Sequence, residues 1–201
     1  MGINRRINNY KTMKKITLLS VSIALLGIVS CKNNTSKEAK TEHQHMEMSE
    51  EVHKITFDME SKSGSEVKGT VEFSQMGEEV MMMAYLSGLT PGEHAIHLHE
   101  KADCSSEDGK STGGHWNPTH EPHGAWGSAE GYHKGDIGNF TVGADGKATV
   151  HFMTDEWCMD CEDETKNIIG KAVIVHQGTD DLVSQPSGAA GARVSCTGII
   201  Q

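Results

Sequence analysis

Six histidines and one aspartate stand in this chain at spacings that suit metal chemistry. They are His97 and His99 in HAIHLHE, His115 in GGHWNP, His123 in EPHGAW, His133 and Asp136 in YHKGD, and His176 in KAVIVHQ. Imidazole and carboxylate are common ligands for transition metals, and this set is large enough for two adjoining ions. In a strand, residues i and i+2 face the same way, so His97 and His99 can point at one ion. His176 closes the apolar run Ala172–Val175, which reads as a neighbouring strand. Nitrogen ligands from adjacent strands suit a flattened Cu(II) geometry, whereas a compact cluster with a carboxylate suits tetrahedral zinc. His123, His133 and Asp136 fall in a stretch with Gly124, Gly127, Gly131 and Gly135, which reads as a long loop able to fold round a zinc ion. His115 lies between the two groups, and the two nitrogens of one imidazole allow a single ring to join both metals.

Taken singly, each piece has a plainer reading. A lone His-x-His on a strand is more often a packing or surface feature. His133 and Asp136 can be turn residues, and His176 can be a hydrogen-bonded core histidine. The joint pattern is what favours metals. His120 competes with His123 for one position.

The elements that must carry these side chains are short strands. Ile55–Met59, Val67–Phe73, Val80–Leu86 and His94–His99 alternate or are apolar. Phe140–Val142 and Ala148–Met153 flank the turn Ala144-Asp145-Gly146 as a hairpin, and Lys171–His176 and Arg193–Ile200 complete about eight strands. No segment offers a long amphipathic helix. The expected fold is all-β: a Greek-key β-sandwich or barrel of about eight antiparallel strands, with two long functional loops around Cys104–Asp136 and Gln177–Ala192. Met81, Met82 and Met83 read as strand packing with alternate residues facing in, ahead of a copper-shuttling role.

The motifs HAIHLHE, GGHWNP, HKGDIGN, GKAVIVHQGTDD and AGARVSCTGII occur in one order, and in that order the chain resembles the copper/zinc superoxide dismutases. The resemblance covers roughly Val52–Gln201. It implies copper ligands at His97, His99, His115 and His176, and zinc ligands at His115, His123, His133 and Asp136, with His115 as the bridge. It implies Arg193 as the active-site arginine, Asp180 as the carboxylate supporting histidines of both metals, His94 as a hydrogen-bonding structural residue, and a disulfide between Cys104 and Cys196; it also favours His123 over His120, because a glycine follows His123 as in the family pattern and its offset from His115 fits. The implied activity is dismutation of superoxide to dioxygen and hydrogen peroxide, with copper as redox centre and zinc beside it. The family also forms homodimers, through different faces. The rival reading is a copper-binding module on the same fold that buffers or delivers the metal; Arg193 and a bridged zinc favour the enzyme.

Outside this region the chain has two further parts. Arg5, Arg6, Lys11, Lys14 and Lys15 precede the apolar run Ile16–Val29, as in a bacterial export signal. Met13 opens MKKITLLS, which is a complete signal opening by itself. Ile28-Val29-Ser30-Cys31 resembles a lipobox, so residues 1–30 are expected to be removed and Cys31 lipidated. Ordinary cleavage with Cys31 as a free thiol is the alternative. Residues 31–51 read as a polar tether, and residues 52–201 as the domain. His43, His45, Met46 and Met48, with His53 just beyond, suit copper capture, although a solvated linker is the plainer reading. The expected location is the bacterial cell envelope, periplasm or outer membrane, with the chain held to the membrane by its lipid.

Once those five basic residues are removed, 13 Lys and Arg stand against 28 Asp and Glu, a formal charge near −15. This excludes nucleic acid as a partner. It also repels an anionic substrate, so positive potential must be local to the site. Arg193 and the metals are its main sources, with Lys110 and Lys134 as candidate additions; Gln177–Ala192 has no lysine. An exported chain sits where disulfides persist. Cys158-x-x-Cys161, in the acidic stretch EWCMDCEDETKN, reads as a small-loop disulfide ahead of a redox or metal role.

Overall fold

The computed structural model describes residues 52–201. The expectations for the export signal, Cys31 and the His43–Met48 stretch lie outside these residues. Eight strands follow in order: β1 (His53–Ser61), β2 (Lys68–Met76), β3 (Glu79–Ser87), β4 (Gly92–His99), β5 (Gly138–Val142), β6 (Lys147–Thr154), β7 (Ala172–His176) and β8 (Arg193–Gly198). All pairings between these strands are antiparallel, in the order β5-β4-β7-β8-β1-β2-β3-β6. The terminal strands β5 and β6 are joined by the tight turn at Gly143–Gly146, where Gly143 N–H donates to Lys147 O at 3.1 Å. They lie side by side, so the sheet nearly closes into a barrel. The chain crosses between the half β1-β2-β3-β6 and the half β5-β4-β7-β8 at β3→β4, β5→β6 and β6→β7, which gives the Greek-key path.

Alternation explains most of the strands. In β3, Val80, Met82, Ala84 and Leu86 are buried while Met81, Met83 and Tyr85 are not, so the methionine triplet packs as strand residues do. The barrel core gathers Val71, Phe73, Met82, Ile96, Leu98, Val173 and Val175. Two strands break the pattern. In β4 all six residues from His94 to His99 are buried, and in β7 all five are. Their inner residues Ile96, Leu98, Val173 and Val175 belong to the core. Their other face, with His97, His99 and His176, is covered by the two long connections. Burial of both faces is the physical reason that β7 reads as an unbroken apolar run.

Covalent and polar ties hold those connections down. Cys104 and Cys196 are joined, with Cα atoms 6.0 Å apart, across a sequence separation of 92. With Ala172 and Ile174 they form a second small core. Cys158 and Cys161 are joined in the connection between β6 and β7. Beside that small loop, Trp157 is buried and packs on Phe152 at a ring separation of 4.9 Å. Its Nε1–H donates to Lys134 O at 2.8 Å. Glu156 accepts from Tyr132 Oη at 2.6 Å and from Lys134 Nζ. The β6–β7 connection therefore braces the segment Tyr132–Asp136.

Closing a loop of this length restricts the unfolded chain far more than the folded one, by about 4 to 5 kcal/mol on a chain-entropy estimate. Replacing Cys104 and Cys196 together by serine is expected to lower the unfolding free energy by about that amount. Denaturant unfolding without reductant checks it, and an unchanged midpoint would contradict the estimate.

Candidate metal centre

Strand geometry delivers three of the histidines. His97 and His99 share one face of β4, and His176 ends β7, whose neighbour in register is β4. A β-bulge at Val175/His176 sets His176 opposite Arg193 on β8. Such a bulge re-aims side chains locally, here bringing the last ring of β7 and the guanidinium to the same end of the barrel. His115 forms an isolated bridge with His99. The loop behind it is stitched to β4: Trp116 N–H donates to Leu98 O at 2.8 Å, Leu98 N–H to Gly135 O at 2.9 Å, and Gly135 N–H to Trp116 O at 3.0 Å. A side chain at Gly135 would collide with Leu98 O, so glycine alone permits this approach between His133 and Asp136.

The rings converge as two groups that share His115. Ligand-type atoms of His97, His99, His115 and His176 lie within 4.8 Å of one another, and so do those of His115, His123, His133 and Asp136. Ring centroids of His97 and His115 are 4.0 Å apart, and those of His115 and His123 are 5.3 Å apart. All seven residues are buried. The Nδ1 atoms of His115, His123 and His133 stand 2.8, 3.0 and 3.2 Å from the Asp136 carboxylate.

A surrounding set of bonds fixes which nitrogen faces inward. Asp180 accepts from His97 Nε2 at 2.8 Å and from His123 Nε2 at 3.0 Å. Bonds made there turn the Nδ1 atoms of both rings inward. His99 Nδ1–H donates to Gly113 O at 3.0 Å, and His176 Nδ1 lies 3.5 Å from Gly191 O. The Nε2 atoms of His99 and His176 are 3.4 Å apart.

Burial pushes His99 and His176 well below the ordinary imidazole range, and neighbouring histidines push the same way. Burial also lowers His115, to about 4, against the pull of Asp136. These rings are neutral at neutral pH, the state that binds metal. Burial opposes charge on His123 too, but Asp136 and Asp180 overcome it and raise that ring to about 9. Against their own burial, both carboxylates are held below the usual range by histidine hydrogen bonds. The zinc-type group thus calls for positive charge.

The residues fit copper and zinc by a further test. His97 Nδ1 and His115 Nε2 are buried without a hydrogen-bond partner, and His123 Nδ1 and His133 Nδ1, although within 3.2 Å of the Asp136 carboxylate, make no bond of hydrogen-bond geometry. An unpaired buried polar atom costs free energy. Four in one cluster, on rings whose outward nitrogens are largely engaged, fit as ligand atoms. A four-nitrogen set suits Cu(II), and three nitrogens with one carboxylate suit Zn(II).

The copper-type group opens onto a cleft of about 920 Å³, lined by His99, His115, His176, Lys110, Asp108 and Arg193 among others. Arg193 donates from Nη1 to Gly109 O at 2.8 Å and to Thr112 Oγ1 at 3.0 Å. Nη2 makes no bond to the described residues. Lys110 lines the same cleft but pairs with Asp108 at 3.0 Å. Lys134, the other lysine expected to add local potential, does not line this cleft, and its ammonium is paired with Glu156.

Other sequence expectations resolve simply. His123 lies in the cluster, whereas His120 is exposed in a turn with φ 58°. His94 bonds to His176 O at 2.9 Å and Thr90 O at 2.9 Å, as a structural residue would. Three positioning residues escaped the sequence reading. Asn139 clamps the backbone of Asp180 through two 2.8 Å bonds. Gln185 does the same for His123 with two 2.9 Å bonds. Gly188, at φ 68°, leaves the space in which Asp180 meets His123. Single polar residues and a loop glycine carry no sequence signal for such roles.

Residues 67–200 match the family model described as copper/zinc superoxide dismutase (SODC). Among solved structures, a SOD-like protein from Bacillus subtilis is similar at 31% identity and TM-score 0.64, over 72% of this chain and 97% of that one. A mutant of that protein with a proline replaced by histidine is 32% identical at TM-score 0.64, over 73% and 97% of the two chains. A double mutant, with a tyrosine and a proline replaced by histidines, is 32% identical at TM-score 0.65 over the same shares. With both histidine groups assembled in that fold around a shared ring, the chain belongs to the copper/zinc superoxide dismutase family.

Proposed function

We propose that this protein dismutes superoxide to dioxygen and hydrogen peroxide in the bacterial cell envelope. The observation that supports this most is the pairing of the shared His115 ring with a cleft whose guanidinium, Arg193, is not ion-paired. His97, His99, His115 and His176 would hold copper; His115, His123, His133 and Asp136 would hold zinc. Copper when bound supplies one-electron acceptance and return.

The protein's own residues do the rest. Arg193, fixed through Nη1, keeps Nη2 to donate a charge-assisted hydrogen bond to the incoming anion. Its neighbours His176 and His99 form the wall against which the anion stops. His115 Nε2 is the buried atom at which a proton is held and passed to the product. Asp136 orients that ring from the other nitrogen at 2.8 Å. Asp180 keeps His97 and His123 in one tautomer and one orientation. A storage module would need neither the arginine nor the shared ring, which favours the enzyme over copper buffering. For location we take the export signal with lipidation at Cys31, followed by the tether, as the best reading of residues 1–51.

His176→Ala is expected to abolish superoxide consumption while leaving the far-ultraviolet dichroism of the barrel unchanged. Full activity in that variant at depleted copper would exclude copper as the redox centre. Arg193→Ala is expected to slow turnover about 10- to 100-fold, the scale of one charged hydrogen bond, with copper and zinc content per chain unaltered. An unchanged rate at low ionic strength would remove Arg193 from the docking role. Cys31→Ser is expected to move the protein from the membrane to the soluble envelope fraction; fractionation that still finds it in the membrane would exclude the lipid anchor.

A further inference from the structure

The outer face of the barrel, on the half away from the histidine centre, carries a group of side chains that the dismutase reading does not use. Residues Val80, Met82 and Ala84 of β3 point into the core, so Met81 and Met83 point out. In β6, Val150 and Thr154 are buried and Phe152 packs on the core, so His151 and Met153 point out. The antiparallel register sets Met81 directly opposite Met153 and Met83 directly opposite His151. Directly opposed Cβ atoms lie about 5 Å apart and diagonal ones about 7 Å. The four residues thus form a two-by-two block, three thioethers and one imidazole, with Met153 52% exposed and His151 exposed.

We propose that Met81, Met83, His151 and Met153 form a surface binding site for Cu(I). Thioether sulfur is a soft ligand that favours Cu(I) over zinc and other harder divalent ions, and imidazole adds a nitrogen acceptable to Cu(I). Methionine has three rotatable side-chain bonds, so sulfurs on neighbouring strands reach a common point without moving the backbone. The strands themselves are rigid, held by an unbroken ladder from Val80/Thr154 to Ser87/Lys147. Negative charge borders the block and favours a cation: Glu79 is two residues before Met81 and Asp155 is two after Met153, whereas Glu72, opposite Met83, is paired with Lys54. The site is built from β3 and β6, whereas the histidine centre is built on β4, β7 and their loops, so the two stand or fall separately.

The test uses the full chain with its histidine centre loaded with copper and zinc, reduced and anaerobic, and with carbon-13 in the methionine methyls. Titration with Cu(I) is expected to shift the methyl signals of Met81, Met83 and Met153 and to leave those of the buried Met59, Met82 and Met159 in place. A variant combining Met81→Leu, Met83→Leu, Met153→Leu and His151→Gln is expected to bind one Cu(I) fewer per chain in competition with a Cu(I) chelator. Leucine keeps the volume of methionine closely, and unchanged copper and zinc at the histidine centre reports an intact fold. His176→Ala is expected to lose dismutation and keep the methyl shifts, which separates this site from the dismutase reading. Absence of shifts at the three methyls, shifts confined to other methionines, or equal Cu(I) stoichiometry in the two proteins would overturn the proposal.

Discussion

The two oxygens of Asp180 hold the site together. One accepts from His97 in the copper-type group and the other from His123 in the zinc-type group, at 2.8 and 3.0 Å. Both bonds fall on Nε2, so both rings turn Nδ1 inward. A carboxylate in this position couples the groups mechanically: neither ring can rotate without breaking a buried, charge-assisted bond. Asn139 secures Asp180 from behind and Gln185 secures His123, which makes the arrangement a property of three elements distant in sequence.

Such a cluster exists only because β4 and β7 are covered twice. Their inner face forms the barrel core, and their outer face would expose three histidines to water without the long connections. Covering them removes the solvent that would compete for their nitrogens and lowers the basicity of His99 and His176, so those two rings stay neutral. The connections are fixed in turn by the Cys104–Cys196 link, by the backbone bonds between Leu98, Trp116 and Gly135, and by Trp157. Unsatisfied ligand atoms inside so constrained a shell are a local cost to stability, offset by the barrel that carries them.

Electrostatics divides between the molecule and the site. The chain is strongly acidic, yet its cleft presents a guanidinium without an ion-paired partner. Lys110 is neutralised by Asp108 and Lys134 by Glu156. Attraction of an anion therefore rests on Arg193 and on the metals the histidines would hold. Of these two lysines only Lys110 lines the described cleft, where it is paired with Asp108.

The sequence by itself determined the ligand types, their division into a strand pair and a loop group, and the eight short strands. Those follow from local rules: i and i+2 share a face, and alternation marks a half-buried strand. The exchange of bonds by Asp180, the clamps at Asn139 and Gln185, the opening at Gly188 and the neutralisation of Lys134 were decided only in three dimensions. Each depends on a contact between residues far apart in the chain, and neither spacing nor residue type encodes which long-range partner a polar side chain meets. The same reason separates Met81 and Met83 as a bare strand pattern from Met81, Met83, His151 and Met153 as a set, because register alone brings β6 against β3.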